Sequence, residues 1–260
     1  MIADPTREDL AALGARFLPD VDVDELTDRF RIWQAVTHGF EIDNPMSSET
    51  LDAVLDLLEP RPGERAIDIP CGRGELLCRL AERNVEGTGV DISPWVIRDA
   101  AHRAAERGVE LDLVLGDGKD HPREPSWDLA TSLGGSWIWN GTYGTLRALR
   151  ALLRPGGRAA LGDLILREGV EPTSLEGVGV PLTRSGLREQ VAEAGFGLRE
   201  WVAPGDDAWR TYNDRYAAHA STWDRDEDER AAAARFAAEA DAEFEAEVAS
   251  FEWVVVVLEG

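Results

Sequence analysis

Apolar positions in this chain recur every three or four residues near its start. They switch to short apolar runs through the middle and return to helical spacing before one last run. In 23–40, Leu26, Phe30, Trp33 and Thr37 share one helical face. Gly39 and Glu41-Ile42-Asp43-Asn44-Pro45 break that helix. Ser47 or Ser48 can cap the next helix, whose apolar stripe is Leu51, Val54, Leu55 and Leu58. From Arg65 the pattern becomes strand, turn, helix, repeated. Strands are predicted at Arg65–Ile69, Gly87–Ile92, Leu111–Leu115, Trp127–Leu133, Arg158–Leu166, Phe196–Val202 and Phe251–Leu258. The intervening helices are Glu75–Arg83, Pro94 to about Arg107, Tyr143–Leu153 and Ser185–Ala194. Alternation of this kind implies an α/β fold with a mostly parallel, doubly wound, seven-stranded sheet.

One segment departs from that rhythm. Residues 206–249 separate the sixth and seventh strands and read as helix throughout, dominated by alanine and charged residues. The expected organisation is a helical lid at 1–46, an α/β core at 47–205, a helical cap at 206–249, and the last core strand at 250–260.

Composition narrows the function classes. The chain has 260 residues, 43% of them hydrophobic, enough for a packed core. Its formal net charge of −23 leaves no basic footprint for nucleic acid and would be repelled by an anionic membrane surface. No apolar run approaches the roughly 18 residues of a membrane span. The polar start MIADPTREDL has no signal-peptide pattern, so a cytoplasmic protein is expected. Cys71 and Cys78 are the two cysteines; no Cys/His cluster suggests a metal site, and reduced thiols are expected.

The strongest chemical signal is Asp68-Ile69-Pro70-Cys71-Gly72-Arg73-Gly74-Glu75. A strand ends in an acid, and small residues turn the chain into a helix. Gly72 and Gly74 permit close backbone approach to a ligand, and the helix start offers free N–H groups. A glycine turn alone is common in α/β folds. Two more acids raise its meaning. Asp91 ends the second strand, placed to accept ribose hydroxyls, with Ile92 beside it. Asp117, followed by Gly118, ends the third, placed to accept from an exocyclic amine. Three acids on the carboxyl edge of one sheet point to a nucleoside ligand.

These residues resemble those of class I S-adenosylmethionine-dependent methyltransferases. Asp68 to Gly74 resembles the family's glycine-rich first motif, which holds the methionine part of the cofactor. Asp91 resembles its ribose-binding acid, and Asp117 with Gly118 its adenine-binding acid. Leu153-Arg154-Pro155-Gly156-Gly157 resembles the turn before the fifth strand. The resemblance spans roughly 45–203 plus the last strand. A finer similarity is to bacterial small-molecule methyltransferases that share Asn44-Pro45-Met46-Ser47 and a helical insertion before the last strand. It implies a Rossmann-like methyltransferase fold, S-adenosylmethionine as cofactor, and a small-molecule acceptor. The chain departs from the family at Pro70, where members usually carry glycine, so the cofactor loop has one N–H fewer. Two other readings compete: an NAD-dependent oxidoreductase and a non-catalytic S-adenosylmethionine-binding module. The oxidoreductase fingerprint needs a third glycine where this chain has Leu77.

Candidate acceptor residues lie in three places. The loop after the fourth strand carries Leu133, Gly134, Gly135, Trp137 and Trp139; Leu133 is assigned to the cofactor and Trp137 to the acceptor. In the insertion, Trp209, Tyr212, Tyr216, His219 and Trp223 share one helical face, which is also the pattern of a packing stripe. Tyr216 and His219 are its acceptor candidates, joined by Trp33 and Phe40 from the lid. For an acceptor needing a base, His38, His219 and Tyr216 are the candidates; otherwise positioning and water exclusion suffice.

Overall fold

The computed structural model describes residues 36–37, 39–171, 180–222 and 227–260. Its elements are α1 (Ser48–Leu58), β1 (Arg65–Asp68), α2 (Glu75–Ala81), β2 (Glu86–Asp91), α3 (Pro94–Arg107), β3 (Leu111–Leu115) and β4 (Trp127–Leu133). After a short 3-10 turn at Ser136–Trp139 come α4 (Thr142–Leu152), β5 (Leu153–Leu166), α5 (Arg184–Glu193), β6 (Gly197–Val202), α6 (Asp206–Thr222), α7 (Glu227–Ser250) and β7 (Phe251–Glu259). The seven strands form one sheet in the order β3-β2-β1-β4-β5-β7-β6. All neighbours run parallel except β7, which is antiparallel to both β5 and β6.

Each expected strand is present, with ends displaced by a residue or two. The exception is β5, which begins at Leu153 rather than Arg158. Leu153 already pairs with Trp127, and the register then shifts before Arg158 meets Leu129. The Pro155-Gly156-Gly157 turn is thus absorbed as an irregularity within a strand, with Gly156 at φ 77°. The insertion is two helices, α6 and α7.

The sheet is covered on both faces. Leu51, Val54, Leu55 and Leu58 of α1 and Leu76, Leu77 and Leu80 of α2 pack on one side. Leu146, Leu149 and Leu152 of α4 and Leu187 and Val191 of α5 pack on the other. This explains the continuous apolar run in β7: Val255 and Val257 face the first layer, Val254 and Val256 the second. A third cluster joins Phe40 to Trp209, Tyr212, Tyr216 and Phe244 of the insertion. Strand order reverses between β1 and β4, and an open α/β sheet forms its ligand crevice at such a point.

Candidate cofactor and active site

A cavity of about 250 Å³ opens at the carboxyl ends of β1, β2 and β4. Asp68, Pro70, Gly72, Asp91, Ile92 and Leu133 line it. A recess of about 10 Å³ beside it is lined by Asp117 and Gly118, and shares Pro70, Asp91, Ile92 and Trp137 with the main cavity. The sheet therefore brings the three strand-end acids to one crevice. Gly74 is not part of the lining. It adopts φ 72°, and a Cβ there would come within 3.0 Å of Ala100 Cβ, so its smallness lets the turn pack against α3. Gly118 is constrained likewise: a Cβ would lie 2.5 Å from Ile69.

Two of the acids are buried without an ion pair among the described residues. Asp68 Oδ1 accepts a hydrogen bond from Thr131 Oγ1 on the adjacent strand at 2.6 Å. Asp91 accepts from the Gly72 and Ser93 amides at 3.0 and 2.9 Å. Burial raises Asp68 to a pKa of about 7, with the Asp91 charge adding to the rise. Burial likewise raises Asp91 to about 6, against the pull of its backbone hydrogen bonds. Asp117 accepts from the Lys119 amide at 2.9 Å.

The glycine turn is organised differently from a set of open amides. The Gly72 amide is engaged by Asp91, Cys71 N–H donates to the Val90 carbonyl at 3.0 Å, and Gly74 N–H to the Cys71 carbonyl at 3.0 Å. The turn is held rigid by its own donors, and what it presents to the cavity is mainly carboxylate and apolar surface.

The strap at 40–46 is the part of the site that sequence reasoning missed. Glu41, Ile42, Asp43 and Asn44 all line the cavity. Asp43 forms an ion pair with Arg73 of the glycine turn, whose guanidinium also reaches Asp99 at 3.1 Å and Thr37 Oγ1 at 3.1 Å. Arg103 donates to the Phe40 and Glu41 carbonyls at 2.9 and 2.8 Å. Tyr212 Oη donates to the Asp43 carbonyl at 3.2 Å. In sequence these residues read only as a helix break; the Asn44-Pro45-Met46-Ser47 stretch of the family resemblance was the one available pointer.

The aromatic candidates separate. Trp137 lines both compartments and is 37% exposed, whereas Trp139 is buried in the core. Phe40, Tyr216 and His219 are brought together, but not into the cavity lining: Phe40 stacks on Tyr216 at 5.8 Å and meets the His219 edge at 4.9 Å. Trp33, His38 and Trp223 lie outside the described residues. Cys71, which lines the cavity, and Cys78 are free and buried. Among the described residues no group of three or more His, Cys, Asp or Glu is placed to hold a metal, and no helix is long and apolar enough to cross a membrane.

Comparison with known proteins adds four findings. Residues 66–157 match a family model described as a methyltransferase domain. The chain is 29% identical to YjhP of Escherichia coli over 72% of this chain and 78% of that protein. It is 39% identical to nocamycin O-methyltransferase of Saccharothrix syringae over 47% of this chain, spanning 44% of that enzyme's length. Among solved structures it resembles a SAM-dependent methyltransferase from Geobacter sulfurreducens in complex with S-adenosyl-L-homocysteine. That match has a TM-score of 0.75 and 26% identity, covering 88% of this chain and 97% of the other.

Proposed function

The chain belongs to the class I S-adenosylmethionine-dependent methyltransferases, and from that premise we propose that it methylates a small organic molecule seated beside Trp137 at the cavity. Its cofactor is S-adenosylmethionine. The crevice suits it chemically: a cationic ligand would meet Asp68 and Asp91, both buried without a cation of their own.

Bound there, the cofactor supplies an electrophilic methyl group on a sulfonium. The chain's own residues do the remaining work. Asp91 orients the ribose through its carboxylate, and Asp117 and Gly118 bound the adenine. Gly134, at φ 79° and without space for a Cβ, lets the backbone after β4 approach the reacting centre closely. The strap at 40–46 covers one side and excludes water. Methyl transfer is an in-line displacement, and holding the acceptor at near-attack distance supplies several kcal/mol of rate enhancement. Tyr216 and His219 contribute by packing the strap through Phe40.

The observation that carries the acceptor site is Trp137, a large aromatic left 37% exposed and lining both compartments. The name of the Saccharothrix relative, nocamycin O-methyltransferase, supports a small-molecule acceptor. The test is calorimetric titration with S-adenosylmethionine, S-adenosylhomocysteine and NAD, followed by a mass-spectrometric screen of small-molecule acceptors. Micromolar binding of the first two and a methylated product whose formation falls in Trp137→Ala support the proposal. A product insensitive to Trp137, or methylation confined to macromolecules, overturns it.

A further inference from the structure

Asp91 and Asp117 account for the nucleoside end of the ligand, and the glycine turn with Asp68 faces its amino-acid end, where the strap adds one more carboxylate. One group in the cavity has unused capacity there. Asp43 lines the cavity, and its Oδ2 is taken by Arg73. Its other oxygen, Oδ1, is buried with no hydrogen-bond partner among the described residues. A buried carboxylate oxygen left without a donor is costly, and such a group in a native protein calls for an explanation. Burial pushes Asp43 up to about pKa 6 even against the pull of Arg73 and Arg103, so its compensation in the ligand-free protein is incomplete.

We propose that Asp43 Oδ1 accepts a hydrogen bond from the α-ammonium of the cofactor's amino-acid part, making it the residue that selects ligands carrying that group. Position supports this assignment. Asp43 Oδ2 lies 4.0 Å from the point where Gly72 would carry a Cβ, so the carboxylate faces the glycine turn across the cavity. That turn is where the methionine part of the cofactor is expected, whereas the reacting sulfonium belongs nearer Leu133 and Gly134 at the end of β4. The chemistry supports it too. Besides Asp43, the charged side chains of the cavity wall are Glu41, Asp68, Glu75 and Asp91, against the single guanidinium of Arg73. Arg73 is buried and already engaged by Asp43, Asp99 and Thr37, so it orients Asp43 more than it cancels the need for a second donor.

Asp43 is also held in place before any ligand arrives. Tyr212 fixes its carbonyl, Arg73 its carboxylate, and Arg103 the two residues at the start of the strap. An acceptor fixed in advance loses little conformational entropy on binding, which is how one charged hydrogen bond becomes a selectivity device. This inference rests on the cofactor alone and is independent of the acceptor.

The experiment measures dissociation constants for S-adenosylhomocysteine, its deamino analogue and 5′-methylthioadenosine on the wild-type protein and on Asp43→Asn. The wild type should bind the deamino analogue at least about tenfold more weakly than S-adenosylhomocysteine, a comparison that needs no variant. Asp43→Asn should lose about tenfold for S-adenosylhomocysteine and change less than about twofold for the two ligands without an ammonium. A parallel loss for all three ligands would mean that Asp43 only shapes the cavity, and would overturn the proposal. So would unchanged affinity for S-adenosylhomocysteine in the variant. No binding of S-adenosylhomocysteine to the wild type would overturn the cofactor assignment and this inference with it; failure to find an acceptor would touch neither.

Discussion

Glu75 and the pair Asp68 and Asp91 are buried carboxylates at the wall of one cavity, and the molecule treats them in opposite ways. Glu75, at the start of α2, is surrounded by guanidinium groups: Arg79 at 2.7 Å, Arg103 at 3.2 Å and Arg107 at 2.8 Å. Arg79 extends that network to Glu41 and Asp52, tying α2 to α1 and the strap. Asp68 and Asp91, at the ends of β1 and β2, have among the described residues only a threonine hydroxyl and backbone amides. A buried carboxylate with several cations is part of the scaffold. One with none keeps its capacity for something that arrives.

The largest effect expected from that contrast is on stability. Glu75→Ala removes the buried carboxylate that three guanidinium groups share and should cost about 3–5 kcal/mol of unfolding free energy in urea titrations. Affinity for S-adenosylhomocysteine in the molecules that remain folded should stay within a few-fold. A large loss of affinity at unchanged stability would break the contrast. Asp91→Ala should do the opposite. It removes the acceptor proposed for the ribose and should weaken S-adenosylmethionine binding by about 3 kcal/mol, roughly a hundredfold, by calorimetry, with a smaller change in stability.

The pH dependence is expected to be smaller and should separate the two sets of acids. Asp43, Asp68 and Asp91 have folded pKa values raised to about 6, 7 and 6, above their unfolded values. Their contribution to stability is therefore complete below the unfolded pKa near 3.8 and is lost as pH rises through about 6–7. A cationic ligand prefers the ionised forms. Its affinity should rise between pH 5.5 and 7.5, by up to about tenfold per pH unit for each proton released. Titrations in buffers of different ionisation enthalpy should detect those protons, and a flat profile would place the acids outside the binding event. The smallest effect is expected from Tyr212→Phe. Losing one hydrogen bond to the strap should cost about 1 kcal/mol and raise the dissociation constant a few-fold, without touching the cavity lining.

The strand-end acids and the fold were legible for a shared reason. Alternating apolar runs and amphipathic helices dictate a parallel sheet, and its geometry sends every strand's carboxyl end to one edge. Asp68, Asp91 and Asp117 could thus be located without coordinates. Pairing of Leu153 with Trp127 was not legible, because the Pro-Gly-Gly stretch carries the local signature of a turn and only cross-strand contacts show that the strand resumes around it. The insertion aromatics form a helical stripe whether they line a pocket or pack against a neighbour. That they gather around Phe40 and act through the strap depends on where the chain returns.

Residue order alone was enough to read the sheet, its layering and the acids at its carboxyl edge, since hydrophobic periodicity and strand-end chemistry are local properties. Tertiary structure alone decided which buried carboxylates are compensated. Glu75 meets Arg103 and Arg107, and Asp43 meets Arg73, across intervals of chain that no spacing rule connects; only Arg79 lies at helical i,i+4 spacing from Glu75. The difference between a structural charge and a binding charge lies in those distant partners, because the energy of a buried charge is set by what surrounds it in space.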